Sequence, residues 1–290
     1  MAMTRRQFIK GTAAGLAGAA VTAKLAGAED AKAPAFRISA CDWSFGAGGP
    51  AGLEAAKRCT LDGLEQSPGG GADKLQASDP AWRAKVKDAA RETGVAVSSM
   101  AIGILNEFPL ASDPRAPAWL DQTIEATHDF GARVILLAFF GNGDLVTGTD
   151  LKVKEADAVV QRLKDAAPKA KEAGVILGLE SYLSAKQNLD ILDRVGSDSV
   201  RVYYDIKNLA NKGYDTAAEI RQLKDRICQF HFKDDNNYLG EGKIKWEPQA
   251  EAIRAIGYKG WLVLETGVPK DRDGDFKRNA AYLRKLFGLA

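Results

Sequence analysis

The spacing of apolar residues changes period repeatedly along this chain. Short runs that alternate, or are continuously apolar, cover residues 36–41, 61–65, 95–100, 133–139, 175–180, 200–205, 228–234 and 261–265. Between them, apolar residues three and four apart cover 51–59, 80–92, 117–130, 151–173, 186–195, 215–225, 247–256 and 275–287. The first kind predicts strands and the second helices. Val-Ile-Leu-Leu-Ala-Phe at 134–139 is apolar throughout, as a strand covered on both faces requires. Pro117 in a first helical turn and Gly174 just past a helix end are the expected punctuation. Strict alternation of strands and helices predicts an α/β fold. Eight such units predict a (β/α)8 TIM barrel, one domain over residues 35–290. An open doubly wound sheet is the alternative, but it gathers its site at one switch point.

The residues that close the later strands add chemistry. The run 228–234 puts Gln229, His231 and Lys233 on one face and Cys228, Phe230 and Phe232 on the other. Three further strands stop at an acid: Glu180, Asp205 and Glu265. The separations from Glu180 to Asp205, His231 and Glu265 in turn are 25, 26 and 34 residues, close to the ~30 residues of one βα unit. Four successive units therefore each present one ligand at the C-terminal end of the barrel, where active sites are built. Three carboxylates and one imidazole suit a divalent Mn, Mg or Co ion, and Zn less readily.

The first 28 residues stand apart. Thr4-Arg5-Arg6-Gln7-Phe8-Ile9-Lys10, a Gly/Ala-rich apolar stretch and Ala26-Gly27-Ala28 read as a twin-arginine signal peptide cleaved after Ala28. The stretch is too short for a stable membrane anchor. The product is expected outside the cytoplasm, periplasmic or extracellular, with 29–34 as a short linker. Cleavage removes four basic residues and no acid, leaving 36 basic against 38 acidic residues. Such a balance argues against nucleic acid as a partner. Cys41, Cys59 and Cys228 lack metal-ligand spacing and are expected to be free, mostly buried thiols. Oligomeric state leaves no mark in the sequence.

Other motifs are weaker. Leu239-Gly240-Glu241-Gly242 lacks the third glycine and preceding strand of a dinucleotide fingerprint and is expected to form a mobile loop over the site. No nucleophile elbow or Walker motif occurs. His128, on a predicted helix, has no acid at strand-end spacing and reads as a surface or packing residue.

From Ala35 onward the chain resembles the xylose-isomerase-like TIM barrels, a superfamily of sugar phosphate isomerases and epimerases. The pieces that carry the resemblance are Gly178-Leu-Glu180, Tyr204-Asp205-Ile-Lys-Asn208, Phe230-His231-Phe-Lys233-Asp234, Leu239-Gly240-Glu-Gly242 and Gly260-Trp-Leu-Val-Leu-Glu265. In ketose epimerases of that superfamily the metal ligands correspond to Glu180, Asp205, His231 and Glu265, and the two glutamates also move the substrate proton. Asn208, Asn237 and Lys186 stand where those epimerases often carry a histidine, an arginine and a glutamate. The metal set thus matches and the hydroxyl-reading set does not.

The resemblance and the strand-end ligands together imply a metal-dependent isomerase or epimerase acting on a small sugar or keto-sugar. Glu180 and Glu265 would exchange a proton with the carbon beside a carbonyl through an enediolate, and Lys233 would reach the same substrate or the developing charge. Trp43 and Trp246 are candidate walls against a sugar face. Glu65 and Asn208 are candidate hydrogen-bonding residues, Glu65 toward the substrate or a ligand. A lyase or hydrolase of keto-glycosides begins with the same proton abstraction and is the alternative. A repair endonuclease on abasic sites would need several histidines, and a non-catalytic sugar-binding protein is a further alternative that metal-dependent turnover of any sugar would exclude.

Overall fold

The computed structural model describes residues 35–71, 73–268 and 270–289. The expected signal peptide, residues 1–28, and the expected linker, residues 29–34, lie outside the described residues. Eight parallel strands close into a barrel: β1 (Phe36–Cys41), β2 (Gly63–Gln66), β3 (Ala96–Ile102), β4 (Val134–Phe139), β5 (Ile176–Ser181), β6 (Val200–Asp205), β7 (Ile227–Phe232) and β8 (Gly260–Leu264), with β1 pairing both β2 and β8. The strand periods explain why. In β7 the phenylalanines turn outward under the helices, Phe232 stacking on Trp246 with ring centroids 5.3 Å apart. Gln229 and His231, on the opposite face, enter the barrel lumen and are 1% and 0% exposed. Burying each phenylalanine is worth about 1.5–3 kcal/mol, enough to fix the register against a one-residue slip.

Ten helices occur among the described residues: α1 (Asp42–Phe45), α2 (Gly49–Arg58), α3 (Pro80–Thr93), α4 (Ala116–Asp129), α5 (Val153–Glu172), α6 (Ala185–Val195), α7 (Ile206–Asn211), α8 (Thr216–Leu223), α9 (Trp246–Ala255) and α10 (Arg272–Phe287). Eight are the expected crossovers; the short α1 and α7 follow β1 and β6 at the mouth of the barrel. Their starts are set by local chemistry. Asp79 caps α3 ahead of Pro80, and Ser184 with Gln187 forms a capping box on α6. Two-residue ribbons (Gly70–Gly71 with Lys74–Leu75, and Val146–Thr147 with Asp150–Leu151) decorate the mouth.

Three expectations meet the structure here. The cysteines are free; Cys41 and Cys59 are buried and Cys228 is partly so. His128 is exposed at the end of α4, its Nδ1 2.9 Å from the Ala173 carbonyl. The segment 239–242 is not a free flap. Asn279 of α10 accepts the Leu239 N–H at 3.0 Å, and Leu239 is buried. The fully buried Asp234 carboxylate accepts the amides of Lys243 and Ile244, both at 3.2 Å. A Cβ on Gly242 would stand 2.2 Å from the Asp234 carboxyl carbon, so only glycine lets the chain pass so close.

Candidate metal centre

Glu180, Asp205, His231 and Glu265 come together at the C-terminal mouth. One ligand atom from each lies within 4.8 Å of all the others. The register explains the convergence: Asp205 pairs with His231 across β6 and β7, and the Glu265 amide continues the ladder by bonding the Phe232 carbonyl at 3.0 Å. His231 Nδ1 faces the three carboxylates, 2.9 Å from Glu180 Oε1, 3.2 Å from Glu265 Oε2 and 3.8 Å from Asp205 Oδ2.

Asp205 shows how the sequence prepares one ligand. It is the N-cap of α7, and its Oδ1 accepts the Asn208 N–H at 2.7 Å. The cap leaves Oδ2 pointing at the cluster. That oxygen is buried and makes no hydrogen bond, although Lys233 Nζ stands 2.9 Å away. A buried carboxylate oxygen without a hydrogen bond, beside an imidazole nitrogen and two further carboxylates, fits a hard or borderline cation.

The acids are not electrostatically equal. Burial pushes the Glu180 carboxyl up to about 7. Burial also acts against ionisation of Glu265, but the His231 and Lys233 cations outweigh it and hold that carboxyl well below the usual range. Asp205 is raised by burial despite the Lys233 charge. Lys233 Nζ also pairs with Glu265 Oε2 at 2.5 Å, and its pKa rises because Asp205 and Glu265 overcome the cost of burial. Environments that push two neighbouring glutamates apart are those of an acid and base pair.

The remaining sequence candidates divide. Trp43 is at the mouth, 41% exposed; its Nε1 donates to Glu265 Oε1 at 3.1 Å and its ring stands edge-on to His231. A cavity of about 360 Å³ opens beside it, walled by Lys233, Glu265, Arg272 and Phe276. Trp246 is not a wall of this cavity. It opens α9, is 1% exposed and packs on Phe232, because it belongs to the outward, helix-covered face of β7. Asn208 is half-buried, and its backbone N–H donates to Asp205 Oδ1. Glu65 lies below the cluster, in the lumen, with Oε1 2.8 Å from His231 Nε2.

Around Glu65 is a set of residues the sequence reading passed over. Ser99 Oγ and Tyr203 OH donate to Glu65 Oε2 at 2.6 and 2.9 Å, and Gln229 Nε2 bonds Ser99 Oγ at 2.7 Å. Cys41 Sγ is 3.5 Å from Glu65 Oε1 and 3.4 Å from His231 Nε2. The signal was present: Tyr203 and Gln229 sit two residues before Asp205 and His231, hence on the same strand face. At the rim, Phe140 and Tyr182 meet edge to face at 4.8 Å, another pair that strand periodicity did not single out.

Known proteins share similarity with this chain over most of the barrel. L-ribulose-5-phosphate 3-epimerase UlaE of Escherichia coli (strain SMS-3-5) is 28% identical over 238 residues, covering 73% of this chain and 80% of that protein. D-psicose 3-epimerase of Enterocloster bolteae is 28% identical over 131 residues, 42% of this chain, and the match spans only 43% of that enzyme's length. The solved structure of an L-ribulose 3-epimerase superposes with a TM-score of 0.73 at 22% identity, over 87% of this chain and 94% of its own. A family model described as xylose isomerase-like TIM barrel matches residues 53–286. That span runs from α2 to the last turn of α10 and takes in Glu180, Asp205, His231 and Glu265, so the chain belongs to the xylose isomerase-like TIM barrel family.

Proposed function

We propose that this protein is a divalent-metal-dependent isomerase or epimerase of a sugar or keto-sugar. The observation that carries the reading is the convergence of Glu180, Asp205, His231 and Glu265 on one point at the barrel mouth. The similarity to proteins named as sugar epimerases supports it. The four residues would hold Mn, Mg or Co, and the bound ion would supply Lewis-acid polarisation of a carbonyl and its neighbouring hydroxyl.

The chain's own residues then do the proton work. Glu180 and Glu265 flank the same point from non-adjacent strands, β5 and the end of β8. In this reading one takes the proton from the carbon beside the carbonyl and the other returns one, so the configuration or the carbonyl position changes. Lys233, fixed by two carboxylates, supplies positive charge beside the developing oxyanion. Trp43 closes one side of the entrance with an apolar ring.

The test is incubation of the Mn-loaded protein in D2O with a panel of ketoses and 3-keto-sugars, read by NMR. The expected result is deuterium at the carbon beside the carbonyl together with a new epimer or isomer. Release of a substituent would favour a lyase or hydrolase. No exchange into any member of the panel would overturn proton transfer altogether.

A further inference from the structure

We propose that Glu65 aims the metal-binding histidine: by accepting the Nε2–H of His231 it commits Nδ1 to the ion. The inference rests on the metal-centre reading above and adds a positioning residue from the other half of the chain.

The argument is one of donor accounting. Glu65 is 0% exposed at the end of β2, where the pairing with β3 slips register between Leu64 and Glu65. Tyr203 sits at a second slip, between Val202 and Tyr203. Such irregularities re-aim side chains, here into the lumen. The Gln229 amide nitrogen lies 2.7 Å from Ser99 Oγ and 3.1 Å from Tyr203 OH. An amide NH2 only donates, so both hydroxyls spend their own protons on Glu65 Oε2. Oε1 is left with the Cys41 thiol and His231 Nε2. An acceptor nitrogen 2.8 Å from a carboxylate oxygen would repel it, so the proton sits on Nε2. On the same ground Nδ1 carries a proton toward Glu180 2.9 Å away, and an ion held among Glu180, Asp205 and Glu265 would displace that proton, whereas the Nε2–H stays on Glu65. Cys41, Glu65 and His231 also lie close enough together to be considered as ligands of a second ion. Their atoms are already paired with one another, and burial pushes the Cys41 thiol well up, away from the thiolate a metal needs.

Histidine ligands typically give their second N–H to a carboxylate or carbonyl, and removing that partner costs about 10- to 100-fold in metal affinity. The experiment uses the full chain. Titration calorimetry with Mn compares wild type and Glu65→Gln, which preserves the shape but not the charge. The expected result is a Kd raised by about 10- to 100-fold with the circular dichroism of the barrel retained. A spectroscopic arm uses 15N-histidine protein loaded with 113Cd. Only His128 and His231 contribute, since the chain has two histidines. Wild type should show cadmium coupled to Nδ1 of His231 and a proton on Nε2. Ser99→Ala, which keeps Glu65 but loosens its Oε2, serves as the second variant and should weaken Mn binding less than Glu65→Gln. Cadmium on Nε2, or Mn binding unchanged in both variants, overturns the role of Glu65 while leaving the metal site standing. Wild-type protein that binds neither ion overturns the metal reading itself, and the proposal with it.

Discussion

At the mouth of the barrel three carboxylates and an imidazole converge on one point; at the floor, Arg37, Arg133, Arg201, Lys224 and Lys259 ring a larger cavity of about 750 Å³ without converging. Two of the floor charges have separate partners. Arg37 lies 4.0 Å over the Trp261 ring and donates to the Asp62 carbonyl, and Arg201 donates to the carbonyls of Asp198 and Asp225. At the mouth the same few oxygens are shared: Glu265 Oε2 lies close to both His231 and Lys233. Size therefore does not locate the chemistry in this barrel. Competition of several groups for one point does, because like charges crowded together are tolerated only where something neutralises them.

The sharpest break of this contrast is chemical. Glu180→Gln and Glu265→Gln keep the size and one acceptor oxygen but remove basicity. With Mn saturating, turnover of any substrate found should fall on the order of 100- to 10,000-fold in each, measured by steady-state kinetics. Near-normal turnover in both would move the chemistry to Lys233. The matched change at the floor, Arg133→Ala, removes an exposed cation and should leave turnover within about twofold and stability within ~0.5 kcal/mol.

A smaller effect follows from pH. Metal ligands must be deprotonated, and burial raises Glu180 from 4.5 to about 7. Mn affinity should therefore climb with pH through about 7 and go on rising above it, because against the cost of burial the neighbouring acids also hold the His231 proton well above its usual range and that proton too must leave; calorimetry in two buffers would count the protons released per ion. The sign for the metal-free fold is the reverse. A carboxyl raised on folding contributes stability that is complete below 4.5 and is lost as pH rises through about 7. A melting temperature of EDTA-treated protein that rises across this window would contradict the assignment.

The barrel and the cluster at its mouth were legible because the strands are short apolar runs, four of which carry a polar residue at the end. A parallel barrel puts all such stops at one end. Trp246 was misread for a local reason: it follows Lys243-Ile244-Lys245, where two lysines flank the one apolar residue, and nothing in that neighbourhood tells that it is the first residue of α9 with its ring on Phe232. The 239–242 segment looked free because two glycines usually mean slack, whereas here Gly242 makes room for a buried carboxylate. Short α7 was invisible as a helix, yet its cap, Asp205, was the residue already singled out. The network around Glu65 was legible only in part: strand period puts Tyr203 and Gln229 on the face of Asp205 and His231, but not that they meet Glu65, 138 and 164 residues away along the chain.

That sequence distance bears on how the molecule holds together. The acid in the lumen comes from the second strand, and most of the donors that satisfy it come from the sixth and seventh. A half-barrel ending after β4 would bury Glu65 with Ser99 and Cys41 alone, and one beginning at β5 would leave the hydroxyl of Tyr203 and the imidazole of His231 without their acceptor. Each half carries a polar debt that only the other settles. The residues beneath the carboxylate and imidazole cluster thus also act as a lock between the two ends of the polypeptide, closing the ring of strands around its axis.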